Sequence, residues 1–250
     1  MHQDDTLLQC ENIITIRLSI YRNKQHCECY PVRHTGLARA PLRKCVESPA
    51  DFPDSNPCLT EKEAQRIMRS MKPLLVLMAP GFEEIELTAP IDILRRLDIP
   101  VTTAGLNSRS VEGAHGLVIQ ADMLLIDVQP EHFDGIILPG GPASWLLRDT
   151  PGVLSLLRAF HGAGKLVAAI CAAPLALQAA GILRGQRITC YPGVAAELKA
   201  DANVLECPAC TEGKLVTGRG PGAALEFGFA LAAALGKGEA VAQLRREMCV

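Results

Sequence analysis

Four short segments of this 250-residue chain hold residues suited to nucleophilic chemistry. Cys171 ends the apolar run Lys165-Leu-Val-Ala-Ala-Ile170 and opens the small-residue stretch Ala172-Ala-Pro-Leu-Ala-Leu-Gln-Ala-Ala180. A cysteine between a buried strand and a helix start sits on a sharp elbow. Such an elbow needs small neighbours two positions away on each side, here Ala169 and Ala173. The free N–H groups and dipole of a helix start favour the thiolate over the thiol; the alternative is a buried thiol serving as a small hydrophobe. Glu86 lies deeper than Glu83 and Glu84, which read as solvated carboxylates complementing a helix dipole. A carboxyl held in an apolar site keeps its proton and can donate a hydrogen bond to a thiolate. Pro139-Gly140-Gly141 is either an ordinary turn or a pocket of backbone N–H groups for developing negative charge. Gly218-Arg-Gly-Pro-Gly222 has the same two readings, with Arg219 able to bind an acid or a partner subunit.

These segments each follow a strand-length apolar run. Leu74–Ala79, Gly135–Leu138, Lys165–Ile170 and Lys214–Thr217 are continuous apolar or nearly apolar runs, as parallel strands buried on both faces require. Further strands are predicted at Ile99–Ala104, Arg187–Cys190 and Val204–Cys207, with Leu117–Gln120 and Met123–Ile126 forming a hairpin-like excursion. Helical spacing is predicted for Glu83–Arg96 (kinked at Pro90), Val153–Ala163, the stretch after Cys171, Val194–Lys199, Ala223–Leu235 and Glu239–Glu247. This alternation predicts an α/β domain over 71–250, a mostly parallel sheet with helices on both faces. Sites in such sheets form at the carboxyl ends of the strands, where the four segments fall.

Composition narrows the function classes. A formal charge of −2 argues against nucleic-acid or anionic-membrane binding as the main activity. No apolar run reaches membrane-spanning length without charge or Pro/Gly interruption. Residues 1–70 read as an N-terminal extension, disordered or not part of the native protein, because polar and Pro-containing stretches dominate and Met71 directly precedes the first strand. They make a poor targeting signal, with nine acids against ten Lys plus Arg. Five of the ten cysteines precede Met71, and the remaining five form no disulfide framework, so a reducing cytoplasm is expected. Cys207-Pro-Ala-Cys210 has the spacing of a redox or half-zinc motif but no second pair in the domain and no strand–helix context. His26-Cys27-Glu-Cys29 is equally weak. His115, His132 and His161 read as loop or surface histidines, and Arg95-Arg96 as a solvated helix end.

Taken together, Ala79-Pro-Gly-Phe-Glu-Glu-Ile-Glu86, Leu138-Pro-Gly-Gly141, Ala168-Ala-Ile-Cys-Ala-Ala-Pro174 and Thr217-Gly-Arg-Gly-Pro-Gly222 resemble the ThiJ/PfpI superfamily. The closer match is the branch of the Parkinsonism-associated protein deglycase and bacterial YajL. The resemblance runs in order from about Leu74 to the C-terminal helices. It implies a flavodoxin-like three-layer sandwich, a homodimer, and no cofactor or metal. It also implies Cys171 as an oxidation-sensitive nucleophile, Glu86 as the carboxyl bonded to it, and the N–H groups of Gly140, Gly141 and Ala172 as an anion pocket. Arg96 and Arg219 are implied near the dimer contact and the edge of the site. The implied activity is removal of methylglyoxal or glyoxal adducts from protein Cys, Lys and Arg groups, or glyoxalase III-type conversion of the free aldehydes. Protease members carry His directly after the nucleophile; Ala172 stands there and argues against a peptidase. Tyr191 occupies the position where some deglycase-branch members have an imidazole, which leaves Glu86 as the main proton carrier. The competing reading is an oxidative-stress sensor or redox-regulated chaperone in which Cys171 is oxidised to sulfenic and sulfinic acid, held by Glu86 and the elbow amides.

Overall fold

A computed structural model describes residues 71–250; the expectations for residues 1–70 lie outside the described residues. Seven strands form the main sheet in the order β10-β11-β7-β6-β1-β2-β5. In chain order these are β1 (Leu74–Met78), β2 (Val101–Gly105), β5 (Met123–Leu124), β6 (Gly135–Leu138), β7 (Leu166–Ile170), β10 (Ala209–Glu212) and β11 (Leu215–Gly218). Neighbours are parallel except β10, which pairs antiparallel with β11 at one edge. Every residue of β1, β6, β7 and β11 is buried. Side chains alternate between faces along a strand, so both faces of the sheet are covered.

Two groups of helices provide that cover. Helix α1 (Glu84–Arg96) packs on α6 (Ala224–Ala234), which also rests on β11, β10 and β7. The other group is α2 (Ala143–Arg148), α3 (Pro151–Gly162) and α4 (Pro174–Ala179), which contact one another and, through α3 and α4, strand β7. Helix α5 (Ala195–Leu198) and helix α7 (Gly238–Glu247) complete the α-helices of the described residues. Helix α1 continues through Pro90, which is buried against α6 where Gly228 leaves room. None of the helices among the described residues is long and apolar enough to cross a membrane.

The α/β reading holds, and the differences fall on short edge elements. The expected hairpin between 117–120 and 123–126 does not form. Instead β4 (Val118–Gln120) pairs antiparallel with β3 (Ser110–Glu112), and β5 adds to the main sheet beside β2. The expected strand at 204–207 shrinks to β9 (Asn203–Val204), paired with β8 (Arg187–Ile188) in a separate two-stranded sheet. The partner of β11 is β10, a segment with little apolar pattern. Helix α2, directly after Gly140-Gly141, has no counterpart among the predicted helices.

Candidate active site

Strands β11, β7, β6 and β1 are consecutive in the sheet, with Gly218 opposite Ile170, and Leu138 opposite Ala169. Their carboxyl ends therefore bring all four chemistry-bearing segments to one edge. Cys171 follows β7 directly, with φ of 66°, a left-handed backbone that a side-chain-bearing residue adopts only where its surroundings hold it. They do so here: its N–H donates to the Gly218 carbonyl at 2.9 Å, and its carbonyl accepts from the Tyr191 N–H at 2.8 Å. Helix α4 starts at Pro174, so residues 171–173 form the turn of the elbow itself. Cys171 is 8% exposed.

Glu86 reaches this turn from α1. It lies on that helix's buried stripe with Leu87, Pro90, Ile93 and Leu94, and is 1% exposed. Its Oε2 accepts the Gly140 N–H at 2.9 Å. Its other oxygen, Oε1, is buried with no hydrogen-bond partner among the described residues. The Cys171 thiol lies beside the carboxyl. A Cβ on Gly140 would fall on Glu86 Oε2 and Cys171 Cβ, so only glycine admits this approach. Gly141 adopts φ of 81°, and a Cβ there would meet the Gly81 carbonyl and the Glu83 amide.

The implied anion pocket is thereby divided. The Gly140 N–H is occupied by Glu86 and orients it, whereas the N–H groups of Gly141 and Ala172 are directed at the Cys171 sulfur. The elbow amides do pull the thiol pKa down, but burial, the Glu86 charge and the bond to Glu86 outweigh them and push Cys171 up to about 12. The expectation of a preformed thiolate from the helix start is therefore reversed. Burial likewise pushes Glu86 up to about 7, with Glu83's charge adding and the bonds from Cys171 and Gly140 opposing. The pair thus releases its first proton near neutrality and holds the second. Moving that second proton from sulfur to Glu86 removes the carboxylate charge that disfavours the thiolate.

Tyr191, 48% exposed, and Arg219 lie at the rim. With Pro192, Pro208, Pro221 and Glu226 they border a cavity of about 420 Å³. Arg96 is elsewhere: it ends α1, ten residues beyond Glu86 or about 15 Å along the axis, and is ion-paired with Asp92 at 2.7 Å. His132 and His161 precede β6 and β7, at the amino ends of the strands. His115 sits at the turn between β3 and β4. Its N–H donates to Glu84 Oε1 at 2.6 Å, and its Nδ1 lies 2.7 Å from Oε2. Glu84 is therefore buried, not solvated as expected. Burial lifts its pKa, but the His115 bonds prevail and hold it below the usual value. The sequence signal missed was the polar loop Glu112-Gly-Ala-His-Gly116, whose hairpin docks on β1's exit through Gly81 N–H to Glu112 O and Ala114 N–H to Phe82 O.

The DJ-1/PfpI family profile matches residues 72–234. Protein dj-1beta of Drosophila melanogaster is 37% identical over 182 residues, 72% of this chain and 97% of that protein. A glutathione-independent glyoxalase of Caenorhabditis elegans is 34% identical over 185 residues, 73% of this chain and 99% of that protein. A deglycase of Pyrococcus abyssi is 33% identical over 150 residues, 60% of this chain and 90% of that protein. The crystal structure of the Drosophila protein superposes with a TM-score of 0.69 at 36% identity, covering 72% of this chain and 98% of that one.

Proposed function

The chain belongs to the DJ-1/PfpI family, and from that premise we propose that it is a cysteine-dependent protein deglycase and glyoxalase III-type enzyme acting on methylglyoxal, glyoxal and their adducts. Relatives named deglycase and glyoxalase support this reading. The observation that carries it is the Cys171–Glu86 pair, buried under the amides of Gly141 and Ala172.

In this mechanism Cys171 Sγ bonds to the aldehyde carbon of methylglyoxal as the thiol proton passes to Glu86. The N–H groups of Gly141 and Ala172 hold the developing oxyanion. Glu86 returns that proton to the oxygen, giving a hemithioacetal. It then takes the proton from the former aldehyde carbon and delivers it to the neighbouring carbonyl carbon, while the hemithioacetal hydroxyl proton moves to the neighbouring oxygen, leaving a lactoyl thioester. Water cleaves the thioester, releasing lactate and restoring the Cys171 thiol. The hydrogen shift is internal to the substrate, so the reaction requires no redox cofactor. With a glycated side chain, the same carbon is attacked and the protein nitrogen or sulfur leaves, protonated by the Glu86 carboxyl that took the thiol proton. Arg219 and Tyr191 border the approach. Exposed Ile85, Leu117 and Val118, at 54%, 57% and 59%, support a homodimer, and a thiol that must stay reduced fits a cytoplasmic setting.

Incubating the protein with methylglyoxal and measuring lactate tests the reading. Wild type is expected to turn over and Cys171→Ser to fall to the uncatalysed rate; equal rates would remove the enzyme reading. A second reading, an oxidative-stress sensor with chaperone activity, is favoured by the unpartnered buried Glu86 Oε1. When protonated, that oxygen would donate to a Cys171 sulfinate. Peroxide treatment followed by peptide mass spectrometry should then show sulfinate at Cys171 that persists in wild type and over-oxidises in Glu86→Ala; indifference to Glu86 would end this reading.

A further inference from the structure

The cavity at the rim offers more room than a three-carbon aldehyde needs. At about 420 Å³ it falls among sites that enclose whole small-molecule ligands. Its wall is tied to the elbow through the backbone on two sides. Tyr191 donates its N–H to the Cys171 carbonyl at 2.8 Å, and Gly218, directly before Arg219, accepts the Cys171 N–H at 2.9 Å. A Cβ built on Gly220 would lie 3.7 Å from Tyr191 Cδ2 and 4.0 Å from Glu86 Oε1. This residue of the cavity wall therefore borders the Tyr191 ring and the Glu86 carboxyl at once.

The two charged side chains in the wall differ in what engages them. Arg245 Nη1 donates to Glu226 Oε1 at 2.9 Å and Nη2 donates to Oε2, so the Glu226 charge is balanced within the protein. Arg219 enters no ion pair among the described residues, where the paired arginines are Arg96, Arg148, Arg187 and Arg245. Its backbone is fixed, because its N–H donates to the Pro208 carbonyl at 2.9 Å, and the residue is partly buried. A permanently charged guanidinium without a counter-charge is matched to a carboxylate, which it takes through paired N–H donors. Tyr191, Pro192 and Pro221 beside it offer an apolar wall for an aliphatic stem. With Glu226 already engaged, the wall has no free acid to take an ammonium group.

We propose, resting on the deglycase reading above, that the rim cavity is a subsite for N-acylated adducts that end in a carboxylate, with Arg219 as its specificity-determining residue. A glycated residue at the C-terminal end of a peptide has this chemistry. The guanidinium holds the terminal carboxylate, Tyr191 and the prolines cover the stem, and the carbonyl end of the adduct extends past Gly220 toward Cys171 and Glu86. A glycated residue inside a chain has an amide in place of the carboxylate, lacks this contact and binds more weakly.

Binding tests this apart from turnover. The probe is N-acetyl-S-(2-oxopropyl)cysteine, a stable thioether mimic of the methylglyoxal–cysteine adduct, compared with its carboxamide by calorimetry on the full chain. Wild type should bind the acid about tenfold more tightly than the amide or better, as a charge-assisted hydrogen bond provides. Arg219→Gln should erase most of that difference, and Arg219→Lys should keep part of it as a point charge. In the lactate assay the acid should compete with methylglyoxal, raising apparent KM without lowering kcat. Equal binding of acid and amide by wild type, a preference that survives in Arg219→Gln, or no binding of either would overturn the proposal. Lactate formation together with equal binding would leave the enzyme reading standing without the subsite. A preference for the acid without lactate formation would keep the subsite and remove the enzyme reading.

Discussion

Glu86 has a measurable effect on stability because it is a carboxyl held where its charge is disfavoured. Its pKa rises from 4.5 to about 7, so between those values the folded state binds more protons than the unfolded chain. Stability from this group is present at acid pH and is lost as pH rises through that window, by about 3 kcal/mol. Glu86→Gln keeps an acceptor for the Gly140 N–H without the charge. It is predicted to raise Tm relative to wild type at about pH 8 and to leave it unchanged or lower at about pH 5, measured by thermal unfolding at both values. At this scale much was legible: the small residues around Cys171 signalled an elbow, and Glu86 sits on the apolar stripe of its own helix. Sequence could not show that burial outweighs the elbow amides, because desolvation depends on what the fold stacks over the sulfur. Nor could it show that Glu86 occupies the Gly140 N–H, a contact between residues far apart in the chain.

Helix α1 carries Glu86, and its seat against α6 decides where that carboxyl points. The helices pack tightly at Gly228, where a Cβ would lie 2.7 Å from Ile93 Cδ1 and 3.1 Å from Pro90 Cα. Gly228→Ala should lower the denaturation midpoint, since overpacking of about 1 to 3 kcal/mol exceeds the gain of about 1 kcal/mol from alanine's helix propensity. An unchanged or higher midpoint would show that α1 can shift freely. The long buried elements were readable because continuous apolar runs mark strands covered on both faces. The edges were not: β10 pairs through backbone groups with side chains Ala-Cys-Thr-Glu that show no alternation. Likewise β3 and β5 are too short for a pattern to develop.

For the whole molecule, the core among the described residues runs from Leu74 to Leu244, and the family profile matches residues 72–234. A protein beginning at Met71 is therefore predicted to unfold cooperatively and to keep wild-type turnover of methylglyoxal, checked by circular dichroism and lactate formation. The α/β architecture and the convergence of four loops followed from strand–helix alternation, because strand ends in a parallel sheet share one edge. The central claim is that Glu86, ionising near neutrality, accepts the proton of a thiol that burial, together with the Glu86 charge, holds at about 12. The pH dependence of kcat/KM for methylglyoxal tests it most directly. Wild type should rise through an inflection near pH 7 and level off, and Glu86→Gln should lose that inflection and become active only toward alkaline pH. An unchanged inflection in Glu86→Gln, or a wild-type rate that climbs steadily into the thiol range, would contradict the account.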